Sequence, residues 1–247
     1  MRQLLPFSAE NVVPYDVYRP DEGRTRLLRL NMVASVDGRA TDRAGVTADL
    51  GGAGDNELFH TLRALADGVL VGGRTVRVER YGPHRLRKHL TERRQRDGRS
   101  GPAAMIVVSR SLDLDPHAAI FTEAKTPTVV LTCTAAPAER RANLAASAEI
   151  IVAGDDSVDL PAAFDQLAGR FGITHVLCEG GPSLNTELLA ADLVDELCLT
   201  ITPLMTGRPA ISIVRPPAPA VDLELLGLCE QDGELYARYR VRVRSDE

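Results

Sequence analysis

The residues best suited to chemistry are two glycine pairs that follow short apolar runs. Val176-Leu177-Cys178 leads into Glu179-Gly180-Gly181-Pro182-Ser183-Leu184. Glycines at a strand end let another group approach the backbone closely. A helix opening at Pro182 presents free N–H groups and its positive dipole end, and Ser183 adds a hydroxyl. The chemistry this suits is diphosphate binding. Leu70-Val71 runs likewise into Gly72-Gly73-Arg74-Thr75-Val76, and two further apolar runs end at Ser109-Arg110 and at Thr132. Four strand ends thus deliver Gly, Ser, Thr and Arg to one edge, where open α/β sheets bind ligands. Arg74 or Arg110 offers a bidentate guanidinium for a nucleotide 2′-phosphate. Taken singly, a Gly-Gly is also an ordinary tight turn, and an arginine an ordinary solvated residue.

Asp55 is the acidic residue of interest. It follows a glycine-rich stretch and opens a helix. The plain reading is an N-cap. The functional reading is a carboxylate that pairs with the ring amidine of a pyrimidine or pterin through two charge-assisted hydrogen bonds. Asp37, in the turn after the first strand, shapes a loop over the ligand, and Asp67 reads as structural. Other chemistries lack their residues. There is no G-x-G-x-x-G, P-loop, H-E-x-x-H, zinc-spaced Cys/His cluster or G-x-S-x-G.

These residues need a frame, and the apolar pattern supplies one. Residues 1–25 read as an irregular lead-in with three prolines. Strands are expected over 26–34, 68–71, 104–108, 128–131, 149–153 and 174–178. Helices are expected from Asp55, after Pro137, from Leu160 and from Pro182, with residues 74–79 a helix or turn. Residues 39–54 read as a loop. Strands alternating with helices imply a mostly parallel sheet covered on both faces. From residue 196 the pattern becomes strand after strand (196–203, 210–214, 221–229, 234–243), with a hairpin at Gln231-Asp232-Gly233. The fold class is therefore α/β: a mixed, mostly parallel sheet with helices on both faces and C-terminal antiparallel strands, in one domain over 1–247.

Composition bounds the function. In 247 residues, 44% are hydrophobic and 26% charged, as in an ordinary globular protein, with a net charge of −5. An acidic chain with 4% aromatic residues and no Trp does not suit nucleic acid. The basic stretch at 80–102 reads as a solvated mobile loop. No apolar run has membrane-span length, and the N-terminus does not read as a signal peptide. Four widely spaced cysteines read as reduced thiols of a cytoplasmic protein.

Several segments, in order from about 27 to 207, carry a family resemblance. They are Ala34-Ser35-Val36-Asp37-Gly38, Leu62-Arg63-Ala64 with Asp67, Val71-Gly72-Gly73-Arg74-Thr75-Val76, Cys178-Glu179-Gly180-Gly181-Pro182-Ser183-Leu184, and Val194-Asp195-Glu196-Leu197 leading to Pro203. The chain resembles the reductase domain of the bifunctional riboflavin-biosynthesis deaminase/reductase and its stand-alone pyrimidine reductase relatives, which share the dihydrofolate reductase fold. The resemblance implies NADPH as cofactor. It places the diphosphate on Glu179, Gly180, Gly181, Pro182, Ser183 and Leu184, beside Gly72, Gly73, Arg74, Thr75 and Val76. It places the 2′-phosphate near Ser109 and Arg110, with Thr132 also on the cofactor side, and the nicotinamide near Ala34 and Thr47. Asp55 is the implied catalytic residue, with Asn31, Thr47, Leu50 and Glu79 on the substrate side. The zinc deaminase half is missing, so no deamination is expected. Two departures stand out. Asn31 stands where many bifunctional members carry Lys, and Glu79-Arg80-Tyr81 replaces a ribose-binding Asp-Asn/Asp-Pro.

The expected activity is that of a 5-amino-6-(5-phosphoribosylamino)uracil reductase, with hydride passing to the sugar imine. One alternative is dihydrofolate reduction on a pterin. Another is an NADPH-binding protein without turnover. A small-molecule substrate and a homodimer are implied, with no nucleic-acid or membrane partner.

Overall fold

Short apolar runs bounded by turn residues pair into one ten-stranded sheet. The computed structural model describes residues 1–41, 50–207 and 211–243. In chain order the elements are β1 (Arg2–Leu5), α1 (Pro14–Val17), β2 (Leu27–Ser35), α2 (Ala53–Leu65), β3 (Gly68–Gly72), α3 (Gly73–Val78), α4 (Lys88–Arg96), β4 (Ala104–Val108), α5 (Ala119–Thr122) and β5 (Val129–Thr132). They continue with α6 (Ala138–Leu144), β6 (Glu149–Val152), α7 (Leu160–Phe171), β7 (His175–Cys178), α8 (Pro182–Ala190), β8 (Glu196–Thr202), β9 (Val221–Gln231) and β10 (Glu234–Val243). The strand order is β1-β9-β10-β8-β2-β7-β3-β4-β5-β6. From β8 to β6 every neighbouring pair is parallel. β10 runs antiparallel to β8 and β9, and β1 antiparallel to β9.

The side-chain alternation of the strands divides the core. Leu70, Ile106 and Leu131 face α7 and α8, meeting Leu160, Ala163, Leu167, Leu184 and Leu188. Val69, Val71, Met105, Val107 and Val130 turn the other way, under α3, α5 and α6. Leu177 is in register with Val69 and shares that second face, where α1, α2 and α4 cover it with Cys198 and Tyr236. Each fully buried leucine contributes about 1.5–3 kcal/mol relative to exposure. Local signals agree with this packing. Asp159 caps α7 by accepting from the Ala162 N–H at 3.0 Å, and Gly172 ends the helix at φ 64°. Asp232 and Gly233 both take positive φ, the geometry of a two-residue hairpin.

The structure corrects four expectations. The lead-in is not irregular: β1 pairs with β9, and Tyr15 and Tyr18 are buried in the cluster beneath α1 and α2. The 80–102 stretch is not a mobile loop, because it holds α4, with Leu90 and Arg94 buried. Its charges are largely taken up inside the molecule. Arg87 pairs with Glu57 at 2.6 Å, Arg93 with Asp16 at 2.8 Å and Arg99 with Asp67 at 3.0 Å. Arg94 donates to the Ala64, Ala66 and Gly101 carbonyls, satisfying acceptors at the end of α2. α2 opens at Ala53 rather than Asp55, and no side chain of its own caps it. Residues 211–214 form no strand; the Asn185 amide instead fixes this segment by donating to the Ile213 carbonyl at 2.7 Å.

Asp67 is structural, as read. It accepts from the His175 N–H at 2.9 Å, the Thr174 N–H at 3.2 Å and Arg99 at 3.0 Å. Burial opposes its charge, but His175, Arg99 and Thr174 outweigh it and hold the carboxyl well below the usual range. A depressed carboxyl stabilises the fold above its unfolded-state value and loses that stabilisation as pH falls toward its folded value. Asp67→Asn is therefore expected to cost about 2 kcal/mol at pH 7. The deficit narrows below about pH 4. Urea unfolding at pH 7 and pH 3 checks this, and an equal deficit at both would refute the electrostatic account.

Candidate active site

The carboxyl ends of β2, β7 and β3 meet at the centre of the sheet, and both glycine pairs lie there. The Gly72 N–H donates to the Gly180 carbonyl at 2.8 Å, and the Glu179 N–H to the Leu70 carbonyl at 2.9 Å. The two turns are thus bonded to each other. Gly180 has φ 90°, a conformation that L side chains rarely adopt. A Cβ on Gly181 would lie 2.8 Å from Thr75 Oγ1, and one on Gly73 would lie 3.1 Å from Ser109. Pro182 stands in the first turn of α8, where the Ser183 and Leu184 N–H groups have no intrahelical acceptor. The result is a backbone-lined cradle at a helix N-terminus, suited to a diphosphate.

The flanking positions follow the sheet. Ser109 is buried, and its hydroxyl accepts from the Leu112 N–H at 3.0 Å, which shapes the turn after β4. Thr132 is fully buried at the end of β5, and its hydroxyl has no partner among the described residues. Arg74 and Arg110 are exposed and make no ion pair among the described residues. An orphaned hydroxyl, two free guanidiniums and the glycine cradle fit a phosphorylated dinucleotide cofactor. Ala34 is buried at the end of β2. Thr47 lies outside the described residues.

Glu179 has a task beyond the cradle. Its carboxylate receives Arg63 Nε at 2.6 Å and Nη2 at 2.7 Å, a bidentate pair. The Arg63 guanidinium also sits 4.1 Å over the Phe59 ring and 5.7 Å from the Tyr81 ring. Burial, with Glu179 beside it, pushes the Tyr81 hydroxyl well above its usual range. Tyr81 belongs to the Glu79-Arg80-Tyr81 segment, so the substrate-side departure packs directly against the cradle. Glu79 is half-buried at the end of α3.

Asp55, Phe59 and Arg63 recur every four residues along one stripe of α2. At the N-terminal end of that stripe, Asp55 faces Thr200 of β8 and Glu234 of β10. Burial raises its carboxyl above the usual range; the Thr200 hydroxyl opposes this and the Glu234 charge adds to it. The Thr200 hydroxyl completes no aligned hydrogen bond among the described residues. Asn31 is half-buried, in register with Cys198, one alternation from Thr200 on the same face. Leu50 is buried beside the turn that leads to Asp55. The arrangement sets a partly buried carboxyl, its charged form disfavoured, on the same helix that braces the glycine turns.

Three contributors escaped the sequence reading: Arg63 as the partner of Glu179, Thr200, and the Glu234–Tyr236 pair. Arg63 stands in the Leu62-Arg63-Ala64 motif, where nothing local points to Glu179. Glu234 and Tyr236 alternate on a C-terminal strand, and no local pattern links them to residue 55.

Comparisons with known proteins place the chain's family and fold. A family described as the RibD C-terminal domain matches residues 26–235. The 2,5-diamino-6-ribosylamino-4(3H)-pyrimidinone 5′-phosphate reductase of Methanothermobacter thermautotrophicus is 32% identical over 178 residues, 72% of this chain and 78% of that protein. Its namesake from Aquifex aeolicus is 32% identical over 179 residues, 70% of this chain and 75% of that protein. Among solved structures, a pyrimidine reductase-like protein from Corynebacterium diphtheriae has a TM-score of 0.80 at 29% identity, covering 95% of this chain and 100% of that one. The riboflavin biosynthesis reductase of Saccharomyces cerevisiae shares the fold, with a TM-score of 0.67 at 19% identity over 90% of this chain and 93% of that one. The sheet is the dihydrofolate reductase-like one that the resemblance implied.

Proposed function

Because the chain belongs to the RibD C-terminal domain family, we propose that it is an oxidoreductase that reduces a ribosylamino-pyrimidine 5′-phosphate, with NADPH as its nicotinamide cofactor. The observation that carries the reading is α2, which sets Asp55, a carboxyl whose charged form is disfavoured, at one end and braces the Gly180-Gly181 cradle through Arg63 and Glu179 at the other. The curated relatives named above act on the diamino-pyrimidinone, so that compound is the first substrate to offer.

When bound, the cofactor supplies a hydride to C1′ of the ring-opened sugar imine. The chain's own residues do the rest. Gly72, Gly73, Gly180, Gly181 and the first turn of α8 hold the diphosphate. Arg74 and Arg110 take the 2′-phosphate, with Ser109 and Thr132 shaping its surroundings. Ala34 and Leu50 present apolar surface to the rings. Asp55 gives its proton to the imine nitrogen as the C1′–N double bond becomes single, and regains one from water. Asn31, Thr200 and Glu79 line the substrate side. Holding the two carbons in contact and excluding water is the main task of the site. The proposal includes a cytoplasmic homodimer.

Oxidation of NADPH by the pure protein tests the reading, with the diamino-pyrimidinone phosphate, its uracil counterpart and dihydrofolate in separate reactions. Turnover is expected with a pyrimidine phosphate and not with dihydrofolate. Turnover with dihydrofolate alone would transfer the site to a pterin, and binding of NADPH with no turnover at all would make the protein a non-catalytic binder.

A further inference from the structure

Resting on the reductase reading, we propose that Glu234 is the positioning residue for Asp55: it ties the glycine-rich turn before α2 to β10 and so fixes where the Asp55 carboxyl stands. The geometry is specific. Glu234 is 7% exposed. Its Oε1 accepts from the Gly52 N–H at 2.6 Å, and its Oε2 from the Tyr236 hydroxyl at 2.5 Å. Gly52 is the N-cap residue of α2 and has no side chain with which to cap. A carboxylate from another strand does this instead, at the positive end of the helix dipole.

The turn is shaped around these groups. A Cβ on Gly51 would lie 2.2 Å from Asp55 Oδ2, and one on Gly54 would lie 2.1 Å from the Tyr236 hydroxyl. A Cβ on Gly52 would stand 3.2 Å from both Glu234 oxygens. The glycines at 51, 52 and 54 are therefore the complement of Asp55, Glu234 and Tyr236. The two carboxyls differ in their donors. Both Glu234 oxygens are engaged, whereas among the described residues Asp55 has only the Thr200 hydroxyl facing it. The proton that a like-charged pair takes up then goes to Asp55. Among the described residues, the groups that face Asp55 are Thr200 from β8 and Glu234 and Tyr236 from β10; Asp232 acts on Tyr236 from the hairpin. Burial and Glu234 raise the Tyr236 hydroxyl far above its usual range, so Tyr236 remains a donor.

Glu234→Gln keeps an oxygen for the Gly52 N–H and removes the charge. In substrate-free protein, the carboxyl ¹³C resonance of Asp55 is expected to titrate at a pH lower by about one unit. The alkaline limb of kcat/KM moves the same way, and kcat falls more than KM changes. A purely structural role would move neither titration. Tyr236→Phe, which strips a donor from Glu234 and lets it compete for the pair's proton, also moves the main part of the Asp55 titration downward, and serves where Glu234→Gln is not recovered folded. An Asp55 titration that is unmoved, or moved upward, in Glu234→Gln overturns the proposal. Wild-type protein that turns over no pyrimidine overturns the reductase reading instead, and the titration still decides the coupling.

Discussion

Asp55→Asn is expected to lower kcat with the pyrimidine phosphate by about 10²–10⁴-fold, the usual worth of a positioned acid. Asn is isosteric and can still meet the Thr200 hydroxyl, so the loss reports the missing proton. Cofactor affinity should hardly change, because the cradle is built from β3, β7 and α8. Stability should move in the opposite direction to activity. Burial and Glu234 raise the Asp55 carboxyl, so its ionised form is disfavoured in the fold and costs stability once pH exceeds its folded value. At neutral pH the variant should therefore unfold at the wild-type temperature or above it, the usual trade between function and stability. Steady-state kinetics, fluorescence titration of NADPH and thermal unfolding check the three parts. Retained kcat, or loss of kcat together with cofactor binding and melting temperature, would remove Asp55 from the chemistry.

The largest stability effect should come from Arg63→Met. The Arg63 and Glu179 side chains are only 10% and 3% exposed. Removing the guanidinium leaves a buried carboxylate unpaired, a loss of about 3–5 kcal/mol. Arg63→Met/Glu179→Leu removes both charges and should lose less than the single variant, because burying the lone carboxylate is the greater part of the cost. Denaturant unfolding of both variants reads the coupling, and a double variant less stable than Arg63→Met would contradict it. The single variant should also bind NADPH more weakly, since Glu179 immediately precedes the cradle.

The legible parts of this molecule were those with local causes. β3, β4 and β5 are short apolar runs ended by Gly, Ser or Thr, and α7 carries its own cap and its own terminal glycine. The glycine turns announced the cradle because no other residue suits Gly180 or Gly181. The illegible parts depend on distant partners. β1 is a strand because Gln3 meets Cys229 near the other end of the chain. α4 looked solvated because the carboxylates that answer its arginines, Asp16 and Glu57, precede it by many residues. The same holds at the site. Asp55 read as a helix opener, but the helix starts earlier, at a turn whose glycines fit side chains from β10.

The strand order carries a consequence for how the chain is made. β3, β4, β5 and β6 emerge from synthesis in the order in which they pair. β2 does not: Leu27 waits for His175, and Arg29 for Glu196. Until β7 slots between β2 and β3, an apolar strand leaves the ribosome with both edges open, and β1 waits longer still for β9. Contacts so remote in sequence slow folding, and open strand edges invite the wrong partners meanwhile. The nascent chain is therefore exposed to misassociation from the emergence of β2 until β7 and then β8 arrive to close its two edges, the strands whose ends frame the active-site cleft.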